Sequence, residues 1–360
     1  MSESTATLDD LDARLLDRMQ RTLPLVSRPF AAIARELGVD ERQVLERVRE
    51  LRHGRKVIRQ ISAIFDTAAL GYASSLVAAK VEPERLEAAA AVIGAHPGVS
   101  HNYERSHAFN LWYTIAVPPD SALGLEATVD RLHELSGAAA TRLLPTLKLY
   151  KIGVRFNMAG GDGSEADGGE ARDASPRNGV FTAGDRDEAM KHAITPADKP
   201  IIRAAQQDLP LVPEPFATLA DEAGVTVDQL LAALQRYEQR KQMRRFAAVL
   251  RHHAAGYSAN LMAVWRVPDD RADAIASVMV QRPEISHCYL RPSYPDWPFN
   301  IYTMIHARTR EAALDVVREL KQTPGIEQSD VLWSVREFKK VRVKYFTGDT
   351  EAWEAQYAQP

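Results

Sequence analysis

The sequence predicts an α+β fold written twice, each copy opening with three short helices and continuing as a β-α-β-β-α-β run. Three observations carry this. Landmarks repeat along the chain: Leu23-Pro24-Leu25-Val26 returns as Leu209-Pro210-Leu211-Val212, Pro29-Phe30 as Pro215-Phe216, and Gly38-Val39 as Gly224-Val225. Gly71-Tyr72 returns as Gly256-Tyr257, Pro97 with Ser100-His101 as Pro283 with Ser286-His287, and Phe109-Asn110 as Phe299-Asn300. The offset stays between 185 and 190, a whole domain's length, which marks a duplication and not a solenoid. Within each copy the apolar period switches from helical to alternating. Between the copies lies a polar, Gly-rich stretch with almost no aliphatic side chains.

The elements follow in order. Leu11, Leu15, Leu16 and Met19 have helical spacing behind Asp9 and Asp10, acids that suit a helix start. Phe30, Ile33, Ala34 and Leu37 make a second helix stopped by Gly38, and Val44, Leu45, Val48 and Leu51 a third, ending near Gly54. Two short helices around a Gly-containing turn form a helix-turn-helix, here of the winged kind. Ile58–Phe65 then reads as a strand, Ser74–Val81 as a strand or the end of a helix–strand pair, and 84–94 as an Ala-rich helix. Strands over 99–105 and 110–117, a helix over 125–135 and a last strand over 143–156 complete a ferredoxin-like order. The second copy follows, with helices over 272–280 and 311–320 and a strand over 300–307. The expected divisions are helix-turn-helix 1–60, ferredoxin-like 61–157, flexible acidic linker 158–190, helix-turn-helix 191–245, ferredoxin-like 246–346 and a tail 347–360.

Composition narrows the function. The 360 residues are 45% hydrophobic and 26% charged, a globular balance. Lys and Arg number 45 against 48 Asp and Glu, without the basic excess of a nucleic-acid-binding domain, so no specific DNA partner is expected. By segment, 1–157 holds 20 basic and 19 acidic residues, 158–190 holds 3 and 8, and the remainder 22 and 21, so the net negative charge sits in the linker. The one cysteine, Cys288, excludes an intrachain disulfide or a zinc site of several thiolates. No apolar run approaches the ~20 residues of a membrane span, and residues 1–10 lack the pattern of a secretory signal, so no membrane partner and a cytoplasmic location are expected.

A helix-turn-helix followed by β-α-β-β-α-β resembles the feast/famine family of leucine- and asparagine-responsive regulators. The third helix departs from a DNA reader: it alternates Glu41, Arg42, Glu46, Arg47, Arg49 and Glu50, and its acids would repel phosphates. The strand motifs resemble sirohaem decarboxylases instead. Residues 100–114, from Ser100-His101-Asn102-Tyr103-Glu104-Arg105 to Trp112-Tyr113-Thr114, with Leu144-Pro145-Thr146 and Tyr150-Lys151-Ile152-Gly153, are similar to one subunit type. Residues 245–253, His287-Cys288-Tyr289-Leu290-Arg291-Pro292, Asp296-Trp297-Pro298-Phe299-Asn300, His306, Phe338-Lys339-Lys340 and Tyr345-Phe346 are similar to its partner. The resemblance implies a natural fusion of both subunits, converting two acetate side chains of sirohaem to methyl groups. Didecarboxysirohaem is a precursor of haem d1 or, by an alternative route, of haem. The alternative function is a DNA-binding regulator with a small effector.

The resemblance implies sirohaem as the partner, with the substrate's iron the only metal and no cofactor added. Two sheets paired face to face as an intramolecular pseudo-dimer are expected, a homodimer of the whole chain being the further assembly it allows. Strand alternation places His101, Tyr103 and Arg105 on one face, and likewise His287, Tyr289 and Arg291. Asn110, Trp112 and Thr114 share a face, as do Asn300, Tyr302, Met304 and His306. Decarboxylation needs a proton donor, and His101, His107, His287 and His252 are the candidates. A polycarboxylate rim needs Arg forks, for which Arg59, Arg105, Arg155, Arg244, Arg245, Arg251 and Arg291 are the candidates, with Lys148, Lys151, Lys339, Lys340 and Lys344 weaker. Tyr103, Asn110, Trp112, Tyr289, Trp297 and His306 would line the macrocycle, with core packing the alternative for the tryptophans and a sheet-face position for His306. His53, His96, His133 and His192 read as solvated surface residues.

Overall fold

The computed structural model describes residues 8–152, 183–250 and 259–357. Copy one opens with α1 (Asp10–Arg21), α2 (Pro29–Leu37) and α3 (Glu41–Arg49). Asp9 caps α1 by accepting from the Asp12 N–H at 2.8 Å, and Asp40 caps α3 by accepting from Gln43. Pro29 fits the first turn of α2, where its missing N–H leaves nothing unpaired, and Gly38 ends the helix at φ 73°. Copy two repeats this with α7 (Asp198–Ala205), α8 (Pro215–Ala223) and α9 (Val227–Gln239), Gly224 ending α8 at φ 69° and a Thr226/Gln229 capping box starting α9.

The strand after each helix-turn-helix finds its partner in the other copy. β1 (Ile58–Phe65) pairs antiparallel with β7 (Met243–Leu250), Ile61 opposite Ala248. The repeated Leu-Pro-Leu-Val segments stitch the copies reciprocally: Leu23 donates to the Phe246 carbonyl at 2.6 Å and Leu209 to that of Ile61 at 2.8 Å. One apolar core therefore runs through both helix-turn-helices and the ribbon, with Leu16, Met19, Phe30, Ile202, Phe216 and Phe246 fully buried.

The ferredoxin-like units are β2 (Ala73–Lys80), α4 (Leu86–Ala95), β3 (Val99–Arg105), β4 (Leu111–Val117), α5 (Gly124–Ser136) and β5 (Ala140–Pro145), and β8 (Ala259–Arg266), α10 (Ala272–Met279), β9 (Ile285–Leu290), β10 (Ile301–Ala307), α11 (Arg310–Leu320) and β11 (Gln328–Lys340). They share a nine-stranded sheet in the order β5-β2-β4-β3-β11-β8-β10-β9-β6, where β6 is Lys148–Ile152. β11 pairs with β8 through Trp333 and then with β3, Lys340 opposite His101. The single strand expected over 143–156 is two strands in its described part: β5 pairs with β2, and past Thr146 and Leu147 β6 pairs with β9, Ile152 opposite His287. Each copy thus lends the end of its last strand to the other, and the sheet curls into a ring. Phe109, Trp112, Leu144, Met262, Trp297, Tyr302 and Leu332 fill the space inside it. The helices cover its outer faces in two further cores.

Two expectations are corrected. Ala183–Met190, read as linker, is a helix (α6) anchored by buried Ala189 and by Arg186, which bonds the carboxylate of Asp66 at 2.9 Å. A buried ion pair holds it instead of an apolar stripe, so hydrophobic periodicity could not reveal it. His96 is fully buried: its ring lies 4.4 Å from that of Trp353 on a last helix, α12 (Asp349–Tyr357). No helix among the described residues is long and apolar enough to cross a membrane.

Candidate active site

A cleft of about 760 Å³ opens where β1, the start of β3, the end of α7 and the chain after β11 meet. That is the size of an organic ligand site. Its walls carry Arg59 from β1, His101 from β3, Arg203, Gln206 and Gln207 from α7 and just beyond, and Arg342, Lys344 and Tyr345 from the segment after β11. Four cations thus come from three stretches remote in sequence. Arg59 donates to the Lys340 carbonyl at 3.2 Å and Arg342 to the Ser62 hydroxyl at 2.9 Å. Among the described residues none of Arg59, Arg203, Arg342 and Lys344 pairs with a carboxylate, whereas the cleft's one acid, Asp208, is bound by Arg52. The field in the cleft is therefore positive.

The wall after β11 is held firmly. The Gln206 side chain accepts from the Tyr345 N–H at 2.7 Å and donates to its carbonyl at 2.8 Å, while the Tyr345 hydroxyl meets that of Thr67 at 2.8 Å. Phe346 sits at φ 57°, a backbone region unfavourable for a bulky side chain, where its N–H donates to the Tyr72 hydroxyl at 2.7 Å.

His101 is the titratable ring in this cleft. Its Nδ1 is held by the hydroxyls of Ser100 at 3.0 Å and Thr114 at 3.3 Å, leaving Nε2 as the nitrogen these groups do not engage. Burial pushes its pKa down to about 4, with Lys340 and Arg59 adding to the effect and Glu337 opposing it. The Tyr103 ring stacks on it, centroids 6.1 Å apart, and donates its hydroxyl to Glu337 at 3.2 Å. Burial, with Glu337 next, raises the Tyr103 phenol well above its usual value.

The expected face recurs in copy two: His287 Nδ1 lies 2.7 Å from the Ser286 hydroxyl and its ring stacks on Tyr289 at 6.1 Å. Arg244, at the sequence position equivalent to Arg59, is instead paired with buried Asp66 at 2.8 Å. Arg245 lies opposite Ile64 in the ribbon and is not part of the cleft.

Other expected residues do structural work. Arg105 is 8% exposed, donates to the Leu332 carbonyl at 3.1 Å on β11 and lies over the Tyr103 ring. Arg291, also 8% exposed, donates to the Leu144 carbonyl at 2.5 Å on β5 and lies over Tyr289. Both clamp the junction where the last strand of a copy changes partner. Asn110 brackets Val81, accepting from its N–H at 3.0 Å and donating to its carbonyl at 2.8 Å, as Asn300 brackets Val267. Trp112 donates to the Phe109 carbonyl and Trp297 to the Tyr302 hydroxyl, both inside the ring's core. His107 lies apart from the cleft, its Nδ1 accepting from the Phe109 N–H at 3.0 Å and its ring edge-on to Trp297; burial lowers its pKa against the pull of Asp330. His306 lies one residue before the end of β10, opposite Asn260 and outside the cleft. Lys339 donates to the Gly94 and His96 carbonyls at the end of α4, as Lys151 does to Val280 and Arg282 after α10. Arg155, Arg251 and His252 lie outside the described residues. Arg203 and Arg342 escaped the sequence reading because neither lies in a repeated motif.

Comparison with known proteins agrees with this architecture. A family described as AsnC-like ligand binding domain matches residues 69–151 and 254–339, and one described as siroheme decarboxylase NirDL-like HTH domain matches residues 12–59 and 198–244. The siroheme decarboxylase of Hydrogenobacter thermophilus is 34% identical over 94% of this chain and 96% of its own. The siroheme decarboxylase beta subunit of Desulfovibrio desulfuricans, matched over its whole length, is 38% identical over 44% of this chain. The crystal structure of the siroheme decarboxylase NirDL with an iron-uroporphyrin III analogue superposes at a TM-score of 0.75, with 29% identity over 97% of this chain and 99% of that one. Doubled domains, whole-chain identity and shared architecture together place the chain in the sirohaem decarboxylase family, with the two subunit types joined in one polypeptide.

Proposed function

We propose that this chain decarboxylates two acetate side chains of sirohaem, in haem d1 or haem biosynthesis, in the cleft lined by Arg59, Arg203, Arg342 and Lys344 around His101. The observation that carries this is a cleft whose cations have no carboxylate of their own among the described residues, beside one half-buried imidazole. Arg forks are suited to the carboxylate rim, each charge-assisted pair being worth about 1.5–3 kcal/mol.

Each step converts R–CH2–COO⁻ and one proton into R–CH3 and carbon dioxide. The C–C bond to the carboxylate breaks, its electron pair passes into the macrocycle, and the methylene carbon ends with the new C–H bond. No oxidant, reductant or further cofactor enters that balance. His101 is the proton donor. It is neutral at pH 7, because burial and the neighbouring cations disfavour its charge. An arriving carboxylate offsets those cations, so substrate binding itself favours loading the ring with a proton. The cytoplasm suits a chain whose single cysteine is buried and free. The regulator alternative lacks a cationic reading helix: on α3, Arg42 pairs with Glu46, Arg47 with Asp9 and Asp12, and Arg49 donates to the Leu211 carbonyl.

Anaerobic incubation with sirohaem, followed by mass spectrometry, is expected to yield product lacking two carbon dioxide units. His101→Ala should reduce kcat by about 10²–10⁴-fold, the usual contribution of a positioned acid. Undiminished turnover in that variant, or binding without loss of carbon dioxide in the unaltered chain, would refute the assignment.

A further inference from the structure

The two duplicates carry the same Ser-His-x-Tyr-x-Arg strand in different surroundings. At the His101 face Arg59 has no carboxylate partner among the described residues and lines an open cleft. At the His287 face the equivalent Arg244 and α6's Arg186 both grip Asp66, at 2.8 and 2.9 Å, and Asp66 has no exposed surface. The sequence position equivalent to Asp66 in the other copy is Arg251, so the duplicates differ there by a reversal of charge. α6 packs against β6, the strand paired with His287, and Arg186 lies close enough to influence Tyr289 and Arg291.

Resting on the reading of the His101 cleft as the sirohaem site, we propose that the His287, Tyr289 and Arg244 face is a second polycarboxylate-tetrapyrrole site, masked by α6 through Arg186 and Asp66. Asp66 neutralises the cation that would meet a carboxylate, and α6 is tied across the face by the same pair. The chain therefore holds one tetrapyrrole although it carries the recognition strand twice. Removing the Asp66 charge leaves Arg186 and Arg244 as adjacent cations, which repel one another and attract an anion.

The test is a spectroscopic titration with iron uroporphyrin III. The unaltered chain is expected to saturate at one per chain. Asp66→Asn keeps the Oδ1 that accepts from the Ala68 and Ala69 N–H groups at 3.1 Å and removes both the charge and the Oδ2 acceptor that Arg186 and Arg244 share; adding Arg186→Ala to it also removes the cation that α6 brings to the face. Either should saturate at two per chain, and adding Arg59→Ala to Asp66→Asn should weaken one site and spare the other. Two equivalents on the unaltered chain, or one on both variants with unchanged circular dichroism, overturns the proposal alone. No binding to the unaltered chain overturns it together with the cleft reading. If one variant fails to fold, the other decides.

Discussion

His101 links the acid–base chemistry to the charge around it. With no ligand its imidazole is held near a pKa of 4 by burial, then by Lys340 and Arg59. If a substrate carboxylate compensates those cations, the ring's pKa in the complex must rise. The pH dependence of kcat is then expected to show a protonated group lost at a midpoint above 4, absent in His101→Ala; a midpoint that stays at the unliganded value would remove His101 as the donor. The arginines divide by environment. Arg59→Ala or Arg342→Ala should raise KM for sirohaem roughly 10–100-fold, the equivalent of one charge-assisted bond each, and Arg59→Ala should barely move the melting temperature. Arg105→Ala and Arg291→Ala should do the reverse, because each leaves a buried strand-junction carbonyl without its donor. The histidine was legible because Ser-His-x-Tyr-x-Arg occurs twice and strand alternation puts its polar members on one face. The roles of Arg105 and Arg291 were not: the carbonyls they grip belong to strands 227 and 147 residues away.

At the scale of elements, α12 supports the cleft from a distance. It follows the second copy in sequence but docks on the first, burying Trp353 in the core beneath α4 and α5. Glu354 accepts from the Ser121 hydroxyl and from the N–H groups of Ala122 and Leu123, at 3.1 and 3.3 Å for the latter two. The cleft wall over 341–347 is thereby anchored at both ends, by β11 before it and α12 after it. Trp353→Ala should lower stability by about 3–5 kcal/mol, read by chemical denaturation. Under that tryptophan, His96 accepts from the Gly98 N–H at 3.0 Å through Nδ1, so it must stay neutral. Burial, then Lys339, holds its pKa down at about 4 against the pull of Glu354. The folded pKa lies below the unfolded value near 6.5, so this contribution is complete above pH 6.5 and is lost as pH falls toward 4. His96 accounts for about 3 kcal/mol of that slope, and His96→Gln should flatten the fall in melting temperature over this range. An unchanged slope would assign the acid sensitivity elsewhere. Capped helices such as α1, α3 and α9 were readable from local signals, but the burial of His96 was not, since its cover comes from the far end of the chain.

The whole molecule is two copies that complete each other. Among the described residues β1 has its ladder partner only in β7, β3 gains β11, and β9 gains β6. Arg142 and Asp296 join the copies by two bonds of 2.9 and 2.6 Å, and the ring's core draws Trp112 from one and Trp297 from the other. Repetition in the sequence announces the doubling and the β-α-β-β-α-β order; it cannot announce which copy a strand end will pair with, because an exchanged strand and a retained one have the same alternation. The exchange makes a strong prediction about cutting. A chain divided between Gly168 and Gly169, both pieces expressed together, should reassemble as a 1:1 complex that decarboxylates sirohaem, as a family with separate subunits implies. Each piece alone exposes an unpaired sheet edge at β3 or β9, half of the helix-turn-helix core and half of the ring, which favours aggregation over a stable monomer. Sedimentation of the separate and mixed pieces decides it: a monodisperse single piece that unfolds cooperatively would show that a copy folds alone and that the exchanged strands only join finished domains. Loss of both folding and activity in either piece, restored on mixing, would make the exchange the condition for building the cleft, whose walls already draw His101 from one copy and Arg203 and Arg342 from the other.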